Sequence, residues 1–165
     1  MRNIKSTLQA HNKMILTNTQ RPDRSTNCNC RMKDMCPVGG NCLQPVVYRA
    51  TLLTDGVAKT YIGSTNNFKT RYSAHKNSFR SPANMHATAL STFVWNKGLN
   101  PTPDIRWEII KVVPPYRPGQ RNCELCLAEK LEIGREAANP NSLNKRTEIA
   151  AACRHRARHK LARLK

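Results

Sequence analysis

Acidic residues are scarce in this chain of 165 residues: ten Asp and Glu stand against 28 Lys and Arg, a formal net charge of +18. A surface with so few carboxylates attracts polyanions, and an acidic substrate or partner is expected. Long apolar runs are missing as well. Stretches such as Ile109-Ile110 and Val112-Val113 fall far short of the roughly 18 residues that a membrane span needs, so no membrane role is expected. The first residues, Met1-Arg2-Asn3-Ile4-Lys5, lead into polar sequence without the apolar stretch of a secretory signal. A reducing intracellular setting follows as the expectation, and the seven Cys then read as thiols or metal ligands rather than disulfides. No internal repeat or long low-complexity segment is present, and the length fits one small domain with basic extensions, not a multidomain machine.

The charge that is present has a pattern. From Lys145 to Lys165 there are eight basic residues and one acid, whereas the window between Asp55 and Asp104 holds no carboxylate but contains Lys59, Lys69, Arg71, Lys76, Arg80 and Lys97. Four of the ten acids crowd into Glu124, Glu129, Glu132 and Glu136. A basic body with one local carboxylate cluster suits a metal-assisted phosphodiester enzyme, because phosphates need cations and Mg²⁺ needs an anionic oxygen ligand. It equally suits a basic nucleic-acid binder whose acids decorate a solvated helix face, and composition alone favours that reading.

Hydrophobic periodicity predicts the following order. Ile4, Leu8, Ile15 and Leu16 are loosely helical over residues 3 to 16, and Thr17 to Asn27, with Pro22, reads as a linker. Cys28 to Cys42 form a Cys-rich knuckle whose turns are marked by Pro37, Gly39 and Gly40. Val46 to Leu53 is β-branched and aromatic, Asp55-Gly56 is a hairpin turn signal, and Val57 to Ile62 is the return strand, ended by Gly63-Ser64-Thr65. Thr65 or Asn66 is placed to cap a helix from about Asn67 to Phe79, with Phe68, Tyr72, His75 and Phe79 on one stripe. A second helix, about Ala87 to Asn96, presents Leu90, Phe93 and Val94 and ends at Gly98. Ile105 to Val113 alternates as a half-buried strand, a Pro-rich loop follows from Pro114 to Gln120, and a third helix runs from about Asn122 to Ala137 with Leu125, Leu131 and Ile133. A basic helix from about Arg146 to Leu164 closes the chain. The expected class is α+β: a small mixed sheet flanked by helices.

Cys28, Cys30, Cys36 and Cys42 follow C-x-C-x5-C-x5-C in a stretch almost devoid of large apolar residues. Four thiolates within 15 residues can surround a tetrahedral Zn²⁺, which would fold a segment lacking its own core. Cys123 and Cys126 have C-x2-C spacing at the start of the third helix and are either ligands or small buried residues. Two knuckle cysteines with His75 or His86 would also close a zinc site. Cys153 has no evident partner.

Val46-Val47-Tyr48 and Tyr61-Ile62-Gly63 place two tyrosines on opposed strands of one hairpin, followed by Arg71 and, one helical turn on, His75. Val46-Val47-Tyr48, then Tyr61 to Thr65, then Lys69 to His75, with Cys123 to Ile133 and Ser142 to Arg146 further on, resemble the core of the GIY-YIG endonucleases over roughly residues 45 to 146. The chain is most similar to the endonuclease module of Penelope-like retroelements. That likeness rests on Cys28 to Arg31, Cys36 to Leu43, Phe68 to Phe79, Trp107 to Ile110, Pro115 to Gly119, Cys123 to Lys130 and Leu143 to Ile149, in that order. It departs from the family pattern at Val46 and Val47, which stand where a Gly and an Ile are usual. The resemblance implies a three-stranded antiparallel sheet flanked by helices, with a zinc knuckle before it. The expected divisions are 1–27 helix and linker, 28–44 knuckle, 45–146 nuclease core and 147–165 basic helix or tail.

The same resemblance implies an activity and roles: a Mg²⁺- (or Mn²⁺-) dependent DNA endonuclease acting in the nucleus, for retroelement insertion, with an associated reverse transcriptase as a possible partner. No Y-x-D-D of a polymerase occurs in this chain. Tyr48 would activate the attacking water, although a phenol with a pKa near 10 is a poor base without help. Arg71 would stabilise phenolate and phosphate, and Tyr61 would hydrogen-bond water or phosphate. His75 would contact phosphate or carry a proton, Glu129 would be the one protein carboxylate on the metal, and Asn144 would orient by hydrogen bonds. Glu132 and Glu136 share the face of Glu129 and are otherwise a solvated helix surface. Lys69, Lys76, Arg80, Arg154, Arg156 and Arg158, with Lys160, Arg163 and Lys165, would track the DNA backbone. Six to ten such contacts would cost about 10³–10⁵ in affinity between 50 and 200 mM salt. The competing readings are a zinc-stabilised nucleic-acid-binding module without catalysis and a ribosomal or chromatin-type structural protein. The tail also reads as a nuclear-localisation patch.

Overall fold

The structure is a computed structural model that describes residues 3–19, 27–32, 35–99, 104–158 and 161. Its centre is a three-stranded antiparallel sheet in the order β2-β1-β3, formed by β1 (Val46–Thr54), β2 (Val57–Thr65) and β3 (Ile105–Val112). The β1–β2 link is a two-residue turn in which Asp55 (φ 52) and Gly56 (φ 74) both adopt left-handed backbone. Such a turn matches the twist of the flanking strands and holds Tyr48 directly opposite Gly63. β2 runs on to Thr65, three residues beyond the expected end, because Gly63, Ser64 and Thr65 still pair with Tyr48, Val47 and Val46.

β1 is buried on both faces. Val46, Tyr48, Ala50 and Leu52 point into one core with Phe68, Phe79, Leu90 and Val94. Val47 points into the other, with Ile62, Leu125, Ala128 and Ile133. Val46 and Val47 are therefore packing residues of the central strand. A β-bulge at Val47 and Tyr48 in the pairing with β3 skips Ile110, and bulges of this kind re-aim side chains beside functional sites.

α2 (Phe68–Arg80) and α3 (Ala89–Asn96) cover the first face, separated by a 3-10 turn over Pro82–Asn84. Asn67 caps α2 by accepting from the Thr70 N–H at 3.1 Å, one or two residues later than the cap expected at Thr65 or Asn66. Thr88 and Ser91 form a capping box that starts α3, and Trp95 Nε1 donates to the Ser78 carbonyl at 2.8 Å, tying α3 to α2. α4 (Glu124–Arg135) covers the second face through Leu125, Ala128 and Ile133. Leu131, expected in that stripe, is exposed with Leu127.

Two expectations are corrected at the ends. α1 (Ile4–Thr19) continues three residues into the expected linker. The basic helix expected over Arg146 to Leu164 is broken: α5 (Thr147–Ala150) and α6 (Arg154–Arg158) are separated by extended backbone from Ala151 (ψ 141). Here Lys130 Nζ donates to the Ala151 carbonyl at 2.6 Å, and Cys153 turns toward α4. Lys160, Arg163 and Lys165 lie outside the described residues. Among the described residues no helix is long and apolar enough to cross a membrane.

Candidate functional site

Tyr48 projects from β1 onto the α2 face and is wholly enclosed, at 0% exposure. Its hydroxyl meets His75 Nε2 at 2.8 Å and accepts from Arg71 Nε at 3.1 Å. The i, i+4 spacing on α2 thus delivers two side chains to one phenol oxygen. Arg71 also reaches the Tyr61 hydroxyl. The rings of Tyr61 and Trp107 close the site around His75 at 6.0 and 5.1 Å. Arg71 and Trp107 are half-buried while Tyr48, Tyr61 and His75 are buried, so Arg71 is the polar member that solvent can reach.

Electrostatics follow from that enclosure. Burial pushes the Tyr48 phenol above its ordinary value, with Tyr61 adding to the rise and Arg71 opposing it. Tyr61 is pushed up by the same desolvation. Burial, then the Arg71 charge, holds His75 down at about 3, so the imidazole is neutral at pH 7. A neutral ring whose Nε2 faces a phenol already accepting from Arg71 accepts the phenol's O–H hydrogen bond, with its own hydrogen on Nδ1. His75 is thereby excluded as a knuckle ligand, and neither it nor the exposed His86 belongs to a possible metal cluster among the described residues.

Gly63 has a specific job that the sequence did not reveal. A Cβ at this position would stand 2.5 Å from Tyr48 Oη and 2.7 Å from its Cζ, so only glycine lets the ring lie flat against β2.

Glu129 lies on the other face, in α4. Its carboxylate is within reach of the Ser64 hydroxyl and N–H, and burial raises its pKa against the favourable influence of Ser64 and Arg154. Its charge acts on both Tyr48 and Tyr61, so the two faces meet electrostatically near the end of the hairpin where Gly63 and Ser64 sit. The expectation of a solvated surface for Glu132 and Glu136 is corrected. Glu132 is 9% exposed and accepts from Arg135 Nη1 at 2.6 Å. Glu136 pairs with Arg49 Nη2 at 2.8 Å and accepts from Thr60 Oγ1 at 2.7 Å. Glu136 tethers the end of α4 to the sheet, whereas Glu132 pairs within its own helix, and α4 lies along β2 so that Glu129 meets Ser64 while Glu136 meets Thr60. Asn144 accepts from the Ile62 N–H at 2.7 Å and donates to the Ile62 carbonyl at 2.8 Å and to Glu148 Oε2 at 3.1 Å. It fastens the segment after α4 to the strand residue between Tyr61 and Gly63.

Two clusters have the composition and spacing to hold a metal ion: Cys28, Cys30, Cys36 and Cys42, and Cys123, Cys126, Cys153 and His155, the ligand atoms of each lying within 4.8 Å of one another. In the first, Cys42 Sγ is 3.4 Å from Cys28 Sγ and 3.7 Å from Cys30 Sγ. A Zn–S distance of about 2.3 Å implies tetrahedral edges of about 3.8 Å, which these separations approach. The Cys30 N–H donates to Cys28 Sγ at 3.3 Å and is the main influence holding that thiol down at about 7. Left-handed backbone at Gly39 (φ 62) and Gly40 (φ 100) turns the chain so that the Gly40 N–H reaches Cys36 Sγ at 3.3 Å. The cluster is no isolated appendage: Cys36, Val38 and Cys42 join the Tyr48 core, and the Cys42 carbonyl accepts from the Lys69 N–H at the start of α2. The second cluster gives Cys153 the partners that spacing alone did not supply. Cys153-Arg154-His155 was the signal for it, unread because its mates lie 27 or more residues earlier.

Lys69, Lys76 and Arg80 are exposed along α2, with Lys76 Nζ 4.6 Å from the centre of the Tyr72 ring and Lys69 Nζ donating to Asn29. Arg154 and Arg156 are exposed on α6; Arg158 lies in the same helix, its side chain outside the described residues. No family model matches this chain, and neither a curated protein nor a solved structure matches it.

Proposed function

We propose that the protein is a DNA endonuclease of the GIY-YIG type, related to those of Penelope-like retroelements, that nicks or cleaves DNA with Mg²⁺ or Mn²⁺. The observation that carries this reading is the hydrogen-bonded chain Arg71–Tyr48–His75 beside Tyr61, with the Glu129 charge reaching both phenols. Arg71 is the accessible cation: Tyr48 uses its Nε and Tyr61 takes a further bond, which leaves the remaining donors of the guanidinium fork for the scissile phosphate and its developing charge. Glu129, a partly buried carboxylate whose charge no ion pair neutralises at close range among the described residues, suits a divalent cation. Such an ion, when bound, supplies charge neutralisation at phosphate and acidifies coordinated water. Passing the Tyr48 proton to His75 is steeply uphill, since each pK unit costs about 1.4 kcal/mol and the pair is split by both shifts. Tyr48 therefore rests neutral and holds Arg71 in place. Asn144 fixes β2 at Ile62, next to Tyr61, and the basic residues of α2 and α6 grip the DNA backbone without reading sequence. Zn²⁺ in the first cysteine cluster would brace the start of α2, from which Arg71 and His75 arise. In this reading the setting is nuclear, and a reverse transcriptase is the natural partner.

The test is supercoiled plasmid with Mg²⁺. Wild type should give relaxed or linear product, and Arg71→Ala and Glu129→Ala should each lower the rate about 10²–10³-fold, the scale of losing one preorganised electrostatic stabiliser. Absence of product from wild type, or unchanged rates in both variants, would overturn the proposal. One observation favours a second reading, a zinc-stabilised nucleic-acid-binding module without catalysis: the complete enclosure of Tyr48. It predicts salt-sensitive DNA binding that Glu129→Ala leaves unchanged, with no product on long incubation.

A further inference from the structure

Four donor atoms that the proposed reaction does not use converge from two distant segments. Cys123 is the N-cap of α4 and Cys126 lies in its first turn, whereas Cys153 precedes α6 and His155 lies within it. Cys126 Sγ is 3.5 Å from Cys153 Sγ and 3.4 Å from His155 Nδ1, and Cys123 Sγ is 3.5 Å from the same nitrogen. Around a tetrahedral zinc the edges are about 3.8 Å between sulfurs and about 3.5 Å from sulfur to imidazole nitrogen. A disulfide would require about 2.05 Å, and all seven cysteines are free. The Arg156 N–H donates to Cys153 Sγ at 3.3 Å, a bond that favours the thiolate a metal requires.

The surroundings explain what such an ion would hold. The chain breaks its helical course at Ala151 to Cys153, Ile149 and Cys153 pack against the Val47 and Ile62 core, and Leu161 lies beside Gly119 of the Pro-rich loop. Arg154 sits between two of the ligands, and its charge bears on the Glu129 carboxylate, three residues beyond Cys126 in α4.

We infer that Cys123, Cys126, Cys153 and His155 form a second structural zinc site, which clamps the basic C-terminal segment onto α4 and sets Arg154 beside Glu129. The zinc assignment stands apart from the nuclease reading; only the value of Arg154 to Glu129 rests on it. The chain then carries two structural zinc ions, one bracing α2 and one bracing α4.

Metal analysis of the purified full chain should give two zinc ions, falling to one in Cys153→Ser and to one in Cys42→Ser. Proteolysis should cut residues 147–158 in Cys153→Ser while the β1–β2 hairpin stays protected. If Cys153→Ser fails to fold, His155→Cys decides: it should keep two metals, and in the cobalt-substituted protein raise thiolate-to-cobalt absorption from seven ligating sulfurs to eight. One zinc in wild type, zinc content unchanged by Cys153→Ser, an unchanged cobalt spectrum in His155→Cys, or a Cys126–Cys153 disulfide in the native mass would each overturn the inference. Two zinc ions without plasmid nicking would sink the nuclease reading alone, and nicking with a single zinc would sink this one alone.

Discussion

The two faces of the sheet are built from opposite chemistry. On the α2 and α3 side an aromatic cage of Tyr48, Tyr61, Phe68, Tyr72 and Trp107 surrounds a neutral histidine and one arginine, and the covering helices contain no carboxylate. On the α4 side Glu129 meets Ser64 and Glu136 meets Thr60 of β2, Glu136 also pairs with Arg49 of β1, and Glu132 pairs with Arg135 of its own helix. A strand alternates its side chains, so β1 sends Tyr48 to one face and Val47 and Arg49 to the other. Arg71 and Glu129 thus lie on opposite faces, and no ion pair joins them. The proposed nuclease activity requires that separation, since a carboxylate already paired with Arg71 would leave neither group for phosphate or metal.

Removing the fastening of the α4 side should have the largest effect. Asn144→Ala orphans the N–H and carbonyl of Ile62, at about 1–3 kcal/mol for each group left buried and unsatisfied, and removes one of the bonds to Glu148. Chemical denaturation should show the loss, and hydrogen exchange should rise at Ile62 and across α5 while α2 keeps its protection. Equal loosening of α2 would show that the faces are not independent. Gly63→Ala strikes the aromatic side instead: a methyl 2.5 Å from Tyr48 Oη must displace the ring, at about 1–3 kcal/mol, and should break the Tyr48 bonds to Arg71 and His75. The readout is the His75 pKa by NMR, which should rise toward its ordinary value; an unmoved pKa would mean that the ring accommodates the methyl without yielding.

The effect that is smallest at neutral pH, and that grows only in acid, concerns His75. His75 titrates at about 3 when folded and near 6.5 when unfolded, so below pH 6.5 the unfolded chain takes up a proton that the folded one refuses. Its contribution to stability is full above about pH 6.5 and is lost as pH falls toward 3, with a slope of at most about 1.4 kcal/mol per pH unit. His75→Gln should flatten the profile relative to wild type in that window. Identical profiles would place the histidine in contact with water rather than inside a neutral cage.

Much of this was legible along the chain. The Asp55-Gly56 turn, the alternation of β3 and the stripe Phe68, Tyr72, His75, Phe79 are local signals, each set by backbone preference or by the period of one element, and the sheet and α2 formed where they pointed. The cap of α2 moved to Asn67 because β2 kept pairing through Thr65. The fates of Glu132 and Glu136 were not legible, since they depend on which residues of β1 and β2 face α4. The C-terminal helix failed for a related reason: its basic, Ala-rich sequence favours a helix, but contacts from Lys130 and Cys126 hold the backbone open at Ala151 to Cys153.

By itself the sequence determined a basic chain with one acid-rich helix, a tyrosine-bearing hairpin followed by an Arg and His on one helical face, and a four-cysteine knuckle, because composition and periodicity act within a few residues. Only the tertiary structure decided that Tyr48 is enclosed between Gly63, Arg71 and His75, that Glu129, unlike Glu132 and Glu136, is left without a close ion-pair partner among the described residues, and that Cys123, Cys126, Cys153 and His155 meet at one point. Those outcomes join groups up to 32 residues apart, whose approach is fixed by how α4 and α2 dock on opposite faces of β1 and by nothing in their local sequence.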